Sequence, residues 1–288
     1  MSLPPFDRTT QTQFTEAPNP TWAYCQPLDS TPAGRAWLEG EEQGWQVINT
    51  EEYDQKVLNK LMLSGIVPRP VAFVSTISEG GVENLAPFRY ILIIASILFG
   101  ILIVVFSQSC SWFNMVANWP LLVSFSCLNG PARIKDTTNN VKNSKGFTVN
   151  IISEPFVENA DVTAIDSPPG FDEWSISGLT KAPSVRQLKP ISCARHSIQE
   201  CELFQAIDIV HPTTGECTST LILAHVNYIH VRNDMLTERG TVDPIKFKPV
   251  ARLGDISYVR FGDIFRIPHP VWATEESNIQ AAIQHRQL

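Results

Sequence analysis

The residues able to do chemistry fall in two blocks of a 288-residue chain: Ser64 to Tyr90, SGIVPRPVAFVSTISEGGVENLAPFRY, and Pro131 to Asn140, PARIKDTTNN. The second block has the makings of a phosphate seat. Arg133 and Lys135 bring positive charge, Thr137 and Thr138 bring hydroxyls, and the helix they open presents unpaired N–H groups. The same residues also describe a plain helix start, with Asp136 as N-cap and its basic neighbours solvated.

The first block suits a thin, flat ring. Ser75 and Thr76 end a strand, while Asn84, Ala86 and Pro87 set small residues and backbone amides beside an apolar wall. A flavin asks for such a slot, with donors for its N5 and carbonyl edges. An ordinary hairpin needs the alternation as well, but it has no need of Arg69 between two prolines.

Other chemistries are excluded. No G-x-G-x-x-G follows a strand, and G-x-x-x-x-G-K-[ST], H-E-x-x-H and G-x-S-x-G are absent. His225 and His230, five apart on one strand, are expected on opposite faces and unable to share a metal. Six scattered cysteines contain no C-x-x-C pair, so neither a zinc site nor a disulfide framework is expected. No secretory leader is visible in the polar, proline-rich N-terminus, and the expected compartment is the cytoplasm. With 29 acidic against 22 basic side chains and net charge −7, nucleic acid is not an expected partner. Hydrophobic residues at 43% and charged ones at 18% exclude a disordered chain and a coiled coil.

The elements that must position these blocks follow from periodicity. Thr50–Ser64 carries apolar residues at a 3.6-residue spacing and predicts a helix with Thr50 as N-cap. From Pro70 the period is two, with Val71, Phe73 and Ser75 on one face and Ala72, Val74 and Thr76 on the other. Glu79-Gly80-Gly81 predicts a hairpin turn to 82–88. Further strands are expected over 121–127, 147–153, 201–210 and 218–231, with a short helix at 136–145. Many strands with few, short helices point to a closed or split barrel. Residues 1–50 read as an arm lying on the domain, 51–266 as the domain, and 267–288 as a loose polar tail.

One stretch does not fit. Ile91 to Phe106, ILIIASILFGILIVVF, spans sixteen residues interrupted only by Ser96 and Gly100. As a helix it reaches roughly 24 Å, short of a bilayer core of about 30 Å. It reads as a membrane anchor, as a buried core element, or as a piece foreign to the domain. The last reading is favoured here, because joining the flanks gives NLAPFRYFNMVANWPLLVSFS, a continuous strand–turn–strand text. Residues 91–112 then resemble a retained intron or a mispredicted exon, set between two strands expected to be adjacent.

The ordered run PRPVAFVST, NLAPFRY, KDT, FTVNIISE, DEW, SGLT, EC-x-L, RLG and Tyr258 resembles the flavin reductase-like family, in its fungal branch, from about Leu61 to Tyr258. The resemblance implies a mostly β (α+β) fold, an FMN-binding split β-barrel with a few short helices. It implies that Arg69, Ser75 and Thr76 line FMN and that Asn84, Ala86, Pro87 and Phe88 pack on its ring. Ser124 and Ser126 would lie near the ribityl chain, and Lys135, Asp136 and Thr137 around the phosphate. His225 and Tyr258 would reach the flavin edge. A homodimer with FMN at its interface is implied, with NADH or NADPH as co-substrate and no metal or separate catalytic acid. The alternatives are a non-catalytic FMN-binding protein, or a membrane-anchored split barrel if 91–106 is a genuine anchor.

Overall fold

The computed structural model describes residues 3–87, 96–98, 101–103, 112–129, 134–165, 167–185, 197–254 and 256–286. In chain order, strand β1 (Phe14–Thr15) and helix α1 (Pro32–Glu41) precede helix α2 (Gln55–Gly65). Strands β2 (Arg69–Pro70), β3 (Ala72–Ile77) and β4 (Glu83–Pro87) come next, then β5 (Ser96–Leu98) and β6 (Ile101–Ile103). β7 (Phe113–Asn118) and β8 (Leu121–Leu128) lead to α3 (Asp136–Ser144) and β9 (Gly146–Ile151). Helices α4 (Val157–Asp161) and α5 (Trp174–Ser177) stand before the long pair β10 (Ser197–Val210) and β11 (Cys217–Val231). The chain continues through α6 (Pro244–Phe247), β12 (Val250–Arg252), β13 (Tyr258–Arg260), β14 (Ile264–Phe265) and α7 (Trp272–Arg286). The mostly β architecture with short helices is the one the periodicity called for.

The chain forms two units, Met1–Gln55 with Phe261–Leu288, and Lys56–Arg260. In the first, β1 pairs in parallel with β14, and the Tyr24 hydroxyl donates to Glu275 of α7 at 3.3 Å. The tail expected to be loose is therefore largely helical. Its segment Trp272–Arg286 contains neither glycine nor proline, so nothing in it interrupts a helix.

The second unit holds a seven-stranded antiparallel sheet in the order β4-β3-β9-β10-β11-β8-β7, with a smaller sheet β13-β12-β2. Strands β8 and β9 have two others between them. Even so, the rings of Phe125 on β8 and Phe147 on β9 meet edge-on with centroids 5.5 Å apart. The sheet therefore curls until its inner faces touch. Ala72, Val74, Phe113, Val123, Val149, Ile222 and Ala224 fill that interior, and Val141 of α3 closes onto it. The other face of β3 buries Val71 and Phe73 in a second cluster with Leu85, Phe156 and Trp174. The alternation read from the sequence is thus realised on both faces, and both are buried.

Two expectations need correction. Helix α2 begins at Gln55 and not at Thr50, because the Asn49 side chain accepts from the Glu51 N–H at 3.1 Å and donates to Glu52 at 2.7 Å. That local turn competes with a helical start. Strands β4 and β7, which flank the apolar stretch, are the two edges of the seven-stranded sheet and are not paired with each other. Within the stretch, β5 and β6 pair antiparallel, so those six residues are extended and not helical. Among the described residues no helix is long and apolar enough to cross a membrane.

Burial also sorts the cysteines. Burial pushes the Cys127 thiol up to about 12, and burial with the neighbouring Glu200 charge raises Cys201 as well. Alkylation of the native protein is expected to modify Cys25 and Cys217, which are partly exposed, and to spare Cys127 and Cys201 until denaturant is added. Peptide mass mapping decides this. Labelling of Cys127 as fast as Cys217 would contradict the buried interior.

Candidate functional site

The site is built on the β3–β4 hairpin and on α3. The hairpin turn works because Gly81 adopts φ +84°, a conformation glycine takes without a Cβ penalty, while the Ser78 N–H donates to the Val82 carbonyl at 2.8 Å. Register then sets Thr76 opposite Asn84 and Val74 opposite Ala86. Thr76 and Asn84 share one face, and α3 packs against them. The Asn84 amide donates to Thr76 Oγ1 at 3.3 Å and to Thr137 Oγ1 at 3.0 Å, and the Asn140 amide donates to Thr76 Oγ1 at 3.0 Å. All four side chains are buried. This network ties two strands to the first turns of α3, and its polar atoms satisfy one another where unpaired ones would be costly.

Helix α3 starts without a side-chain cap among the described residues. Lys135 is its N-cap in extended backbone, and Asp136 is the first helical residue, a correction to its reading as the cap. The N–H groups of the first turn therefore face the loop end of the helix beside Lys135, where an anion is favoured. Thr137 accepts from Asn84, which leaves its hydroxyl proton for another acceptor. Thr138 is fully buried and lies next to Cys127 in the interior, so its hydroxyl is not available to a ligand at the helix mouth.

Glu173, part of the DEW block but given no role in the sequence reading, closes the open edge of β4. Its Oε2 accepts from the Leu85 N–H at 3.2 Å and its Oε1 from the Ser167 hydroxyl at 2.7 Å. Burial pushes this carboxyl up; the Ser167 and Leu85 bonds oppose the rise, and the Asp136 charge adds to it. Lys181 pairs with Glu83 of the same strand and lies 5.6 Å over the Trp174 ring. Asn140 was missed too, although its i, i+3 spacing from Thr137 puts both on one helix face.

The remaining expected residues are dispersed. Strand alternation points Ser75 away from Thr76, and Pro87, opposite Phe73, away from Ala86. Phe88 lies outside the described residues. The Arg69 guanidinium donates to the carbonyls of Leu63, Ile66 and Leu253, joining the end of α2 to β12, while Gly254 lets the Ser64 Cα approach to 2.8 Å of where a Cβ would stand. Ser124 and Ser126, opposite Leu223 and Leu221, share the outer face of β8 and β11 with His225. His225 Nδ1 lies 2.9 Å from Asn227 Oδ1. The Tyr258 hydroxyl donates to Asp161 at 2.8 Å, and its ring lies under Arg252. His225 and His230 do not face opposite ways. A bulge sets Tyr228 opposite Glu200 and Val226 opposite Cys201, which returns His230 to the outer face, 2.7 Å from Glu200.

Residues 63–246 match the family described as the flavin reductase like domain. The chain belongs to this family. An uncharacterized protein of Aquifex aeolicus is 32% identical over 224 residues, covering 74% of this chain and 95% of its own length. Among solved structures, nitrilotriacetate monooxygenase component B from Bacillus cereus is 29% identical with TM-score 0.67, over 78% of this chain and 99% of that one. A Shewanella frigidimarina protein with a split barrel domain aligns with TM-score 0.60 at 14% identity, over 78% of this chain and 100% of that one. The curled sheet is thus the split barrel of the flavin reductase-like family, and the family-level activity is that of a flavin oxidoreductase.

Two outcomes test this geometry. Arg69→Ala is expected to lower stability by about 3 kcal/mol, since the carbonyls of Leu63, Ile66 and Leu253 lose their charged donor and a buried side chain is deleted; denaturant midpoints measure it. Glu173 carries a carboxyl raised in the folded chain, so its contribution to folding is present at low pH and is lost as pH rises from the ordinary 4.5 through the raised value. Glu173→Gln should therefore gain stability relative to the wild type between pH 4.5 and about pH 7. Urea midpoints at the two pH values, with an unchanged difference between the proteins, would refute the assignment.

Proposed function

We propose that the chain is an FMN-binding oxidoreductase that takes hydride from NADH or NADPH and delivers the electrons to a separate acceptor. The observation that carries this reading is the first turn of α3 beside Lys135, without a side-chain cap among the described residues and joined through Thr137 and Asn84 to the β3–β4 hairpin, in a chain of the flavin reductase-like family. A phosphate suits that mouth because it takes backbone N–H groups, a nearby lysine and the Thr137 hydroxyl at once. Asp136, in the same turn, orients donors and does not touch the anion. Ala86, opposite Val74 on the face of the hairpin that also carries Asn84, is proposed to meet the ring, its small side chain suiting a flat ligand. Bound FMN supplies hydride acceptance and electron release, while the protein supplies position and electrostatics.

Among solved structures, the 29%-identical one is named as component B of a monooxygenase, and this favours a partner oxygenase as acceptor over free oxygen or iron. A homodimer with FMN at the interface and a cytoplasmic setting complete the proposal. Residues 91–112 are proposed to be a retained intron or a mispredicted exon, and sequencing of the transcript across codons 90 to 113 tests that separately.

The direct test is an FMN titration of the purified chain followed by stopped-flow mixing with NADH or NADPH under anaerobic conditions. Saturable binding with loss of the oxidised flavin absorbance is expected. Binding without bleaching by either nucleotide would make the chain a flavin carrier, and no binding would reject the function.

A further inference from the structure

Strand β4 carries Asn84 and Ala86, yet it is an edge of its sheet, and an edge strand leaves every second N–H pointing away from its only neighbour. Leu85 is fully buried, so that outward N–H has no water to bond and needs a protein acceptor. Glu173 is the acceptor. It is 5% exposed, and its second oxygen is held by Ser167 at 2.7 Å, so the carboxylate is fixed at both ends. The next residue, Trp174, packs in the same apolar cluster as Leu85, and Lys181 pairs with Glu83 two positions earlier on the strand. Residues 167–181 thus strap the open side of β4. On its other side, the Asn84 amide reaches Thr76 and Thr137.

We propose that Glu173 is the positioning residue of the flavin site, fixing β4 so that Asn84 spans the hairpin and the first turn of α3. This rests on the FMN reading above. Glu173 acts through the Leu85 amide and touches no ligand itself. The two adjacent residues Asn84 and Leu85 transmit the restraint, one by its side chain to α3 and one by its backbone to the strap. A shift of β4 by a fraction of an ångström would loosen the Asn84–Thr137 bond, and it would do so at the point where ring and phosphate ends of the ligand meet. The Asp136 charge on α3 acts on this carboxyl and raises it, which is consistent with Glu173 standing beside the helix mouth.

The test uses the full chain with Glu173→Ala, Glu173→Gln and Ser167→Ala. Three quantities are read: FMN affinity by flavin fluorescence, the visible band shape of bound FMN, and hydrogen exchange at the Leu85 amide. Glu173→Ala should weaken FMN binding about tenfold or more, alter the band shape and accelerate Leu85 exchange, with far-UV circular dichroism unchanged. Glu173→Gln should stay within about threefold of the wild type, because a glutamine oxygen still accepts from Leu85 and its amide can bond Ser167. A folded Glu173→Ala protein with wild-type affinity overturns the proposal, as does a Gln variant as weak as the Ala variant. If Glu173→Ala does not fold, Ser167→Ala takes its place, and unchanged affinity together with unchanged Leu85 exchange is the overturning result. A wild-type chain that ignores FMN would reject the flavin reading alone, with Leu85 exchange in the variants then deciding whether Glu173 fixes the strand.

Discussion

Phe125 and Phe147 belong to strands with two others between them, and their contact is possible only because the seven-stranded sheet curls until its inner faces meet. The rest of the larger unit follows from that curvature. A flat sheet of this composition would present Val74, Val123, Val149 and Ile222 to water, whereas the curled one packs them against each other and admits Val141 of α3. Because α3 must bring Val141 to the interior, its neighbouring face carries Thr137 and Asn140 to the hairpin. The polar network and the apolar core are therefore set by a single docking event.

The site inherits its rigidity from this arrangement and its vulnerability from the edge strand. β3 is held by β4 and β9, but β4 has one strand partner among the described residues. Its open side is covered by side chains of the 167–181 segment. A buried carboxylate costs desolvation, offset in part here by bonds from Leu85 and Ser167. On the small sheet, Arg69 does a comparable service for α2, whose last carbonyls would otherwise lack donors. Polar groups recruited to finish an element's hydrogen bonding thus account for much of the buried charge near the barrel.

Much of this was legible in the chain. The period-two run from Pro70 located β3, β-rich runs located β8, β9, β10 and β11 to within a few residues, Glu79-Gly80-Gly81 located the turn, and the KDT block located the start of α3. Local steric and hydrogen-bonding rules suffice for these, since each depends on residues a few positions apart. The conspicuous failures were also local in origin. The Asn49 side chain took the N–H that would have opened an earlier helix, and the β11 bulge moved His230 to the face of His225.

What the sequence by itself determined was the main strands of the sheet with the start of α3, the alternating faces of β3 and, through the ordered blocks from PRPVAFVST to RLG, the flavin reductase-like family. What only the tertiary structure decided was which polar residues meet. Thr76, Asn84, Thr137 and Asn140 come together from three elements separated by up to 64 positions, while Arg69 and Tyr258 turn to other partners and Ser75 to the opposite face of β3. Glu173 reaches Leu85 across 88 positions. The reason is physical: periodicity determines the face on which a side chain lies, but the neighbour on that face depends on sheet curvature, register and helix docking, which arise from the whole core at once.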